Sequence, residues 1–132
     1  MEKRSNGYED LEVWKLAKTL AVEVYKITKA FPKEDLYGIT SQIRRCSLSI
    51  PSNLAEGSAR GSKKEFARFV MIALGSTAEL NTQLLVAKEI GILSETDYNA
   101  ICTKLGRIGK MLKGLERSMR TNNQQQMTND QA

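Results

Sequence analysis

The sequence contains no histidine. That absence removes the commonest general base, the Ser-His-Asp and Cys-His arrangements, and the commonest zinc ligand. Only two cysteines are present, Cys46 and Cys102. They belong to no CxxC or Cys/His cluster, so they read as small buried hydrophobes in a reducing compartment. With two prolines in 132 residues, long helices meet few interruptions. No stretch approaches the roughly 18 consecutive apolar residues of a membrane span, and no apolar run follows the charged start. The expectation is a cytoplasmic, non-membrane protein.

The remaining polar chemistry is equally thin. Glu9, Asp10 and Glu12 fall at a helix start, where they suit a capping role, and Glu56 stands alone. Without a Glu-x-x-His pair, a di-iron bundle has no support. The expectations are no catalytic residues, no metal and no cofactor. A catalyst needs a positioned acid, base, nucleophile or metal, and none can be assembled.

What is present is helical periodicity. Val13, Leu16, Leu20, Val24, Ile27 and Phe31 recur at steps of three and four, with Trp14, Ala17 and Ala21 widening the face; Pro32 ends the pattern. Leu36, Ile39, Ile43, Cys46, Ile50 and Leu54 keep one phase across Pro51, which predicts a kinked rather than broken helix. Ser47 and Ser49 are candidates to cover the freed backbone groups. Gly57 reads as the left-handed closing residue of that helix. Ser62-Lys-Lys-Glu65 matches a capping box, opening a third helix through Phe66, Phe69, Val70, Ala73, Thr77, Leu80, Leu84 and Ala87 to a stop at Gly91. Mid-helix Gly75 and Ser76 suggest close approach of another helix.

Ser94 caps a fourth helix, in which Tyr98, Ile101, Leu105, Ile108, Leu112, Leu115 and Met119 form a heptad seam. Short connections favour an antiparallel up-down-up-down four-helix bundle, an all-α domain over residues 8–120. Residues 1–7 and the polar segment 121–132 are expected to be disordered. Trp14, Tyr25, Tyr37 and Tyr98 lie in helical phase and read as packing residues rather than base-stacking platforms.

The net charge is +5, and it is unevenly placed. Lys104, Arg107, Lys110, Lys113, Arg117 and Arg120 face only Glu116 in the fourth helix, on the side opposite the seam. A second group comprises Arg44, Arg45, Arg60, Lys63, Lys64 and Arg68. Arginine's planar fork suits bidentate phosphate contacts, and the third helix's N-terminus adds backbone donors beside Arg60, Lys63 and Lys64. All of these residues except Arg120 are the candidate nucleic-acid contacts, with a solvated, solubilising face as the alternative role.

Several segments carry a resemblance: Tyr8-Glu-Asp-Leu-Glu-Val-Trp14, Phe31-Pro-Lys-Glu-Asp-Leu-Tyr-Gly38, Gln42-Ile-Arg-Arg45, Ser49-Ile-Pro-Ser-Asn-Leu-Ala-Glu-Gly57 and Ala73-Leu-Gly-Ser-Thr-Ala-Glu-Leu80. Over roughly residues 8–118 the chain resembles the 23S rRNA intervening-sequence protein family, also called the four-helix-bundle protein family. Cys46 stands where many members have alanine, and Leu54 where isoleucine is common. The resemblance implies an antiparallel four-helix bundle assembled as a homopentamer, without known enzymatic activity. It extends to the accessory variability determinant of diversity-generating retroelements, a basic pentamer that binds nucleic acid and a reverse transcriptase. By that likeness Arg44, Arg45 and Arg60 are the first basic residues to carry over. Two functions follow as expectations: an electrostatic binder of nucleic acid, structured RNA favoured, or a homo-oligomeric adaptor that binds another protein.

Overall fold

The structure is a computed structural model that describes residues 7–130, with side chains described to residue 120. A 3-10 turn at Gly7–Asp10 leads into four helices: α1 (Glu12–Thr28), α2 (Ser41–Ala59), α3 (Lys63–Glu89) and α4 (Glu95–Asp130). Cross-links fix their directions. Arg44 reaches Thr28 while Gly7 lies against Ser58, so α1 and α2 are antiparallel. Cys46 meets Ser76 and Gly57 meets Phe69, reversing α2 against α3. Cys102 meets Asn81 and Gly109 meets Thr77, reversing α3 against α4. With α1 packed on α4, the order closes as an up-down-up-down bundle.

The core is the one the periodicity predicts. Leu20, Val24, Ile43, Ile50, Leu54, Val70, Leu80, Leu84, Ile101, Ile108 and Leu112 are all buried in one cluster. The alternate steps of α4 present Ile101, Leu105, Ile108 and Leu112 inward in sequence. α3 is long and apolar enough to cross a membrane by composition, yet Phe69, Val70, Ala73, Leu80, Leu84 and Ala87 are buried within the bundle.

The helix ends follow their local chemistry. Ser62 Oγ accepts the Glu65 amide at 3.1 Å and Ser94 Oγ accepts the Asp97 amide at 3.1 Å. At the end of α3, the Gly91 amide bonds the Lys88 carbonyl and the Ile92 amide bonds that of Ala87, with Gly91 at φ 88°. This is a Schellman closure, and Ile92 packs back on the core.

The structure corrects several readings. Gly57 does not close α2, which runs to Ala59; Gly61 supplies the left-handed residue at φ 79°. Gly57 is instead buried where α3 crosses, its missing side chain making room for Phe69. Gly75 faces open space, so its neighbour Ser76 alone makes the close helix contact, to Cys46 and Ser49. α2 continues unbroken through Pro51, and the nearby hydroxyls bond other carbonyls than the one the proline frees: Ser47 Oγ donates to Arg44 O and Ser49 Oγ to Cys46 O.

The pattern that begins at Leu36 is not yet α2. Leu36–Thr40 forms a wide π-helical turn in which Gly38 leaves helical dihedrals at φ −113°, ψ −115°. The bounds of α4 extend to Asp130, into the polar segment expected to be disordered. Residues 1–6 and 131–132 of the two expected disordered ends lie outside the described residues.

Candidate nucleic-acid interface

α4 sorts its cations by their angle to the buried seam. At about 100° per residue, Arg107, Lys110, Lys113 and Arg117 project away from the core, Arg120 lies about 100° round from the seam, and Lys104 flanks it. Lys104 and Arg120 are already occupied. Lys104 Nζ donates to both Glu23 oxygens at 2.6 and 2.7 Å, tying α4 to α1, and Arg120 lies 3.7 Å from Glu116. The four outward cations are exposed and take part in none of the ion pairs among the described residues. Within the expected phosphate-contacting set Lys104 is thus paired with a carboxylate, and Arg107, Lys110, Lys113 and Arg117 are its continuous part outside those ion pairs.

These four do not share one groove. Arg107 lines a cleft between α1 and α4 with Leu16, Leu20 and Ile108, whereas Lys110 and Lys113 edge a groove between α3 and α4 floored by Thr77, Ala78, Gly106 and Gly109. The cationic surface is thus a broad ridge along α4 with a shallow groove on either side.

The second group divides between the two ends of the bundle. Arg60 and Arg68 sit over the ring of Phe69, at 5.3 and 4.8 Å from its centroid, and pair with Glu56 at 3.0 Å and Glu65 at 2.9 Å. The Arg68 hydrogen bond, aided by nearby positive charge, holds the Glu65 carboxyl below its ordinary range. Beside them, exposed Lys63 and Lys64 begin α3 and take part in no ion pair among the described residues. The antiparallel order puts this end next to the Arg117 end of α4.

Arg44 and Arg45 lie at the opposite end. Arg44 Nε donates to Thr28 Oγ1 at 2.8 Å and its guanidinium stacks over Tyr25 at 4.9 Å. Arg45 is exposed. The structure therefore does not join the candidate cations into one site; it gives a ridge with one adjoining end, and a separate patch.

That separate patch contains residues whose role the sequence reading misjudged. Tyr37 is 94% exposed and Tyr25 41%, so neither is a core packing residue. Tyr37 precedes Gly38 in the wide turn and follows Leu36 by one residue, about 100° round from the core stripe. Both line a groove with Leu36, Ser41, Arg44 and Arg45. Lys18, Lys26 and Lys29 surround the adjoining apolar groove of Val22, Tyr25, Leu48 and Pro51. The overlooked signal is the stripe Lys18, Val22, Tyr25, Lys29, spaced by four, three and four beside the core stripe of α1.

No group of three or more Cys, Asp or Glu side chains converges among the described residues. The Cys46 thiol is buried, donates to the Ser76 carbonyl at 3.2 Å, and is pushed up to about 11, chiefly by burial. It is an inert packing group at neutral pH.

A family model described as 23S rRNA-intervening sequence protein matches residues 9–114. The chain belongs to that family. Among solved structures, the bundle is similar to a protein of unknown function from the S23 ribosomal protein family of Bacteroides thetaiotaomicron VPI-5482. That likeness has a TM-score of 0.71 at 22% identity, covering 79% of this chain and 97% of the other. It speaks for the fold alone. No curated protein matches the chain. The α4 ridge and the tyrosine patch of this chain are placed on that all-helical bundle.

Proposed function

We propose that this protein is a non-enzymatic, cytoplasmic nucleic-acid binder that holds the phosphates of structured RNA with low sequence specificity. The observation that carries this reading is the α4 ridge: Arg107, Lys110, Lys113 and Arg117 exposed along one helix, outside the ion pairs of the described residues. Cations already neutralised by carboxylates release no counterions on binding; these four do. The family name associates such proteins with 23S rRNA, a polyanion of the required class.

The partner in self-association is a second copy of the chain, with the homopentamer as the expected ring. Exposed Met71, Ile72, Val86 and Ile90 on α3 support contact with another copy of the chain, on a face away from the tyrosine groove. A ring would also repeat each ridge and strengthen RNA binding by avidity. The same exposed apolar residues favour the second reading, an adaptor whose partner is another protein.

A salt titration of RNA-duplex binding tests the first reading, with wild type beside the triple variant Arg107→Gln, Lys110→Gln, Lys113→Gln. Three lost phosphate contacts lower the slope of log K against log salt by about 2 to 3. A slope unchanged in the variant returns α4 to a solubilising role. Affinity that is undetectable at moderate salt removes nucleic acid altogether, and a stoichiometric protein partner that survives nuclease treatment then establishes the adaptor.

A further inference from the structure

We infer that the groove between α1 and the start of α2 is a stacking platform for unpaired bases, so that the RNA this protein takes includes a single-stranded segment. The inference rests on the nucleic-acid reading above and deepens it, since the α4 ridge recognises only phosphate. Three observations converge on the groove.

The first is aromatic exposure. Tyr37 is almost wholly in solvent, and exposing an aromatic ring to water forgoes a large burial gain that a bundle helix ordinarily takes. Tyr25 presents its ring in the same groove, with one side already covered by the Arg44 guanidinium. Arg44 is itself fixed by its bond to Thr28, so Tyr25 is held in place before any ligand arrives.

The second is charge. The groove of Tyr25 and Tyr37 carries Arg44 and Arg45, and the adjoining one carries Lys18, Lys26 and Lys29. Among the described residues, no carboxylate lines either groove. Five cations around two exposed tyrosines are complementary to a strand that offers phosphates and flat bases together. An uncharged partner surface would leave all five unmatched.

The third is shape. The tyrosine groove is open, about 290 Å³, and runs into an apolar groove of about 380 Å³ through Tyr25, which lines both. A duplex hides its bases and cannot use such a surface, whereas splayed bases can lie on successive rings.

The test compares Tyr37→Ala and Tyr37→Phe with wild type, using a short unstructured RNA oligonucleotide and an RNA duplex of equal length. Fluorescence anisotropy across a salt series reads both. Tyr37 is exposed, so its replacement leaves the bundle intact. Tyr37→Ala is expected to weaken single-strand binding about tenfold without changing its salt slope. Tyr37→Phe retains the affinity, because the ring remains, and duplex binding is unchanged in both.

Single-strand affinity equal to wild type in Tyr37→Ala overturns the platform while leaving the α4 ridge standing. If wild type binds neither RNA, the nucleic-acid reading itself has failed and the platform with it. A Tyr37-dependent association with an acidic amphipathic peptide, alongside single-strand binding that ignores Tyr37, assigns the groove to a protein partner and likewise overturns it.

Discussion

Gly57→Ala is the sharpest test of how this bundle is packed, because two opposing effects meet at one carbon atom. Alanine in a helix interior gains about 0.5–1 kcal/mol over glycine, and Gly57 lies inside α2 with ordinary helical dihedrals. Against this, a Cβ at Gly57 would sit 2.5 Å from Phe69 Cβ, with Phe69 Cγ at 3.1 Å and Phe66 Cδ2 at 3.2 Å. The nearest atom adjoins the α3 backbone and cannot swing away as a side-chain tip would. The two helices must separate, which disturbs a well-packed contact at a cost of about 1–3 kcal/mol.

The clash outweighs propensity, leaving a net loss of about 1–2 kcal/mol, equivalent to a fall in melting temperature of about 3–10 °C for a domain of this size. Thermal unfolding followed by circular dichroism at fixed protein concentration reads it, since self-association shifts the midpoint by mass action. Gly75→Ala is the control. It lies in α3 facing open space, so propensity acts alone and the variant gains about 0.5–1 kcal/mol. Gly57→Ala as stable as wild type would refute the close crossing of α2 and α3.

Two further outcomes follow from local chemistry. Gly91 closes α3 at φ 88°, so Gly91→Ala costs about 1–2 kcal/mol, read as a lower urea midpoint; an unchanged midpoint would mean the closure tolerates a side chain. Cys46 has its folded pKa raised from 9.0 to about 11, so the folded state holds the proton more tightly. Its contribution is therefore complete below about pH 9 and is lost as pH rises toward about 11, by at most about 2–3 kcal/mol. Urea midpoints measured across that window fall less in Cys46→Ser than in wild type; parallel falls would show that Cys46 contributes nothing to the pH dependence.

The architecture was legible in the chain because it depends on local repetition. Heptad spacing from Ile101 to Met119, the capping serines Ser62 and Ser94, and the stop at Gly91 each act within a few residues of themselves. Nothing distant was needed to read them, and the structure places them accordingly. The cationic side of α4 was legible for the same reason, since one helix sets the angle between Lys110 and the buried seam.

Tertiary structure decided whatever depends on a neighbour from another element. Gly57 and Gly75 are the same residue in helices, yet only Gly57 lies under a crossing helix. Lys104 and Lys110 belong to the same basic run, but Glu23 on α1 is close enough to neutralise only the first. Tyr37 is next to Leu36 of the apolar pattern yet stands in solvent, beside Gly38 where the backbone leaves helical geometry. Sequence by itself determined the period, the caps and the four helices, since these come from covalent neighbours and hydrogen bonds of short range. Which charges remain unpaired, which glycine is crowded and which aromatic rings face water depend on distances between helices, and those exist only once the bundle has closed.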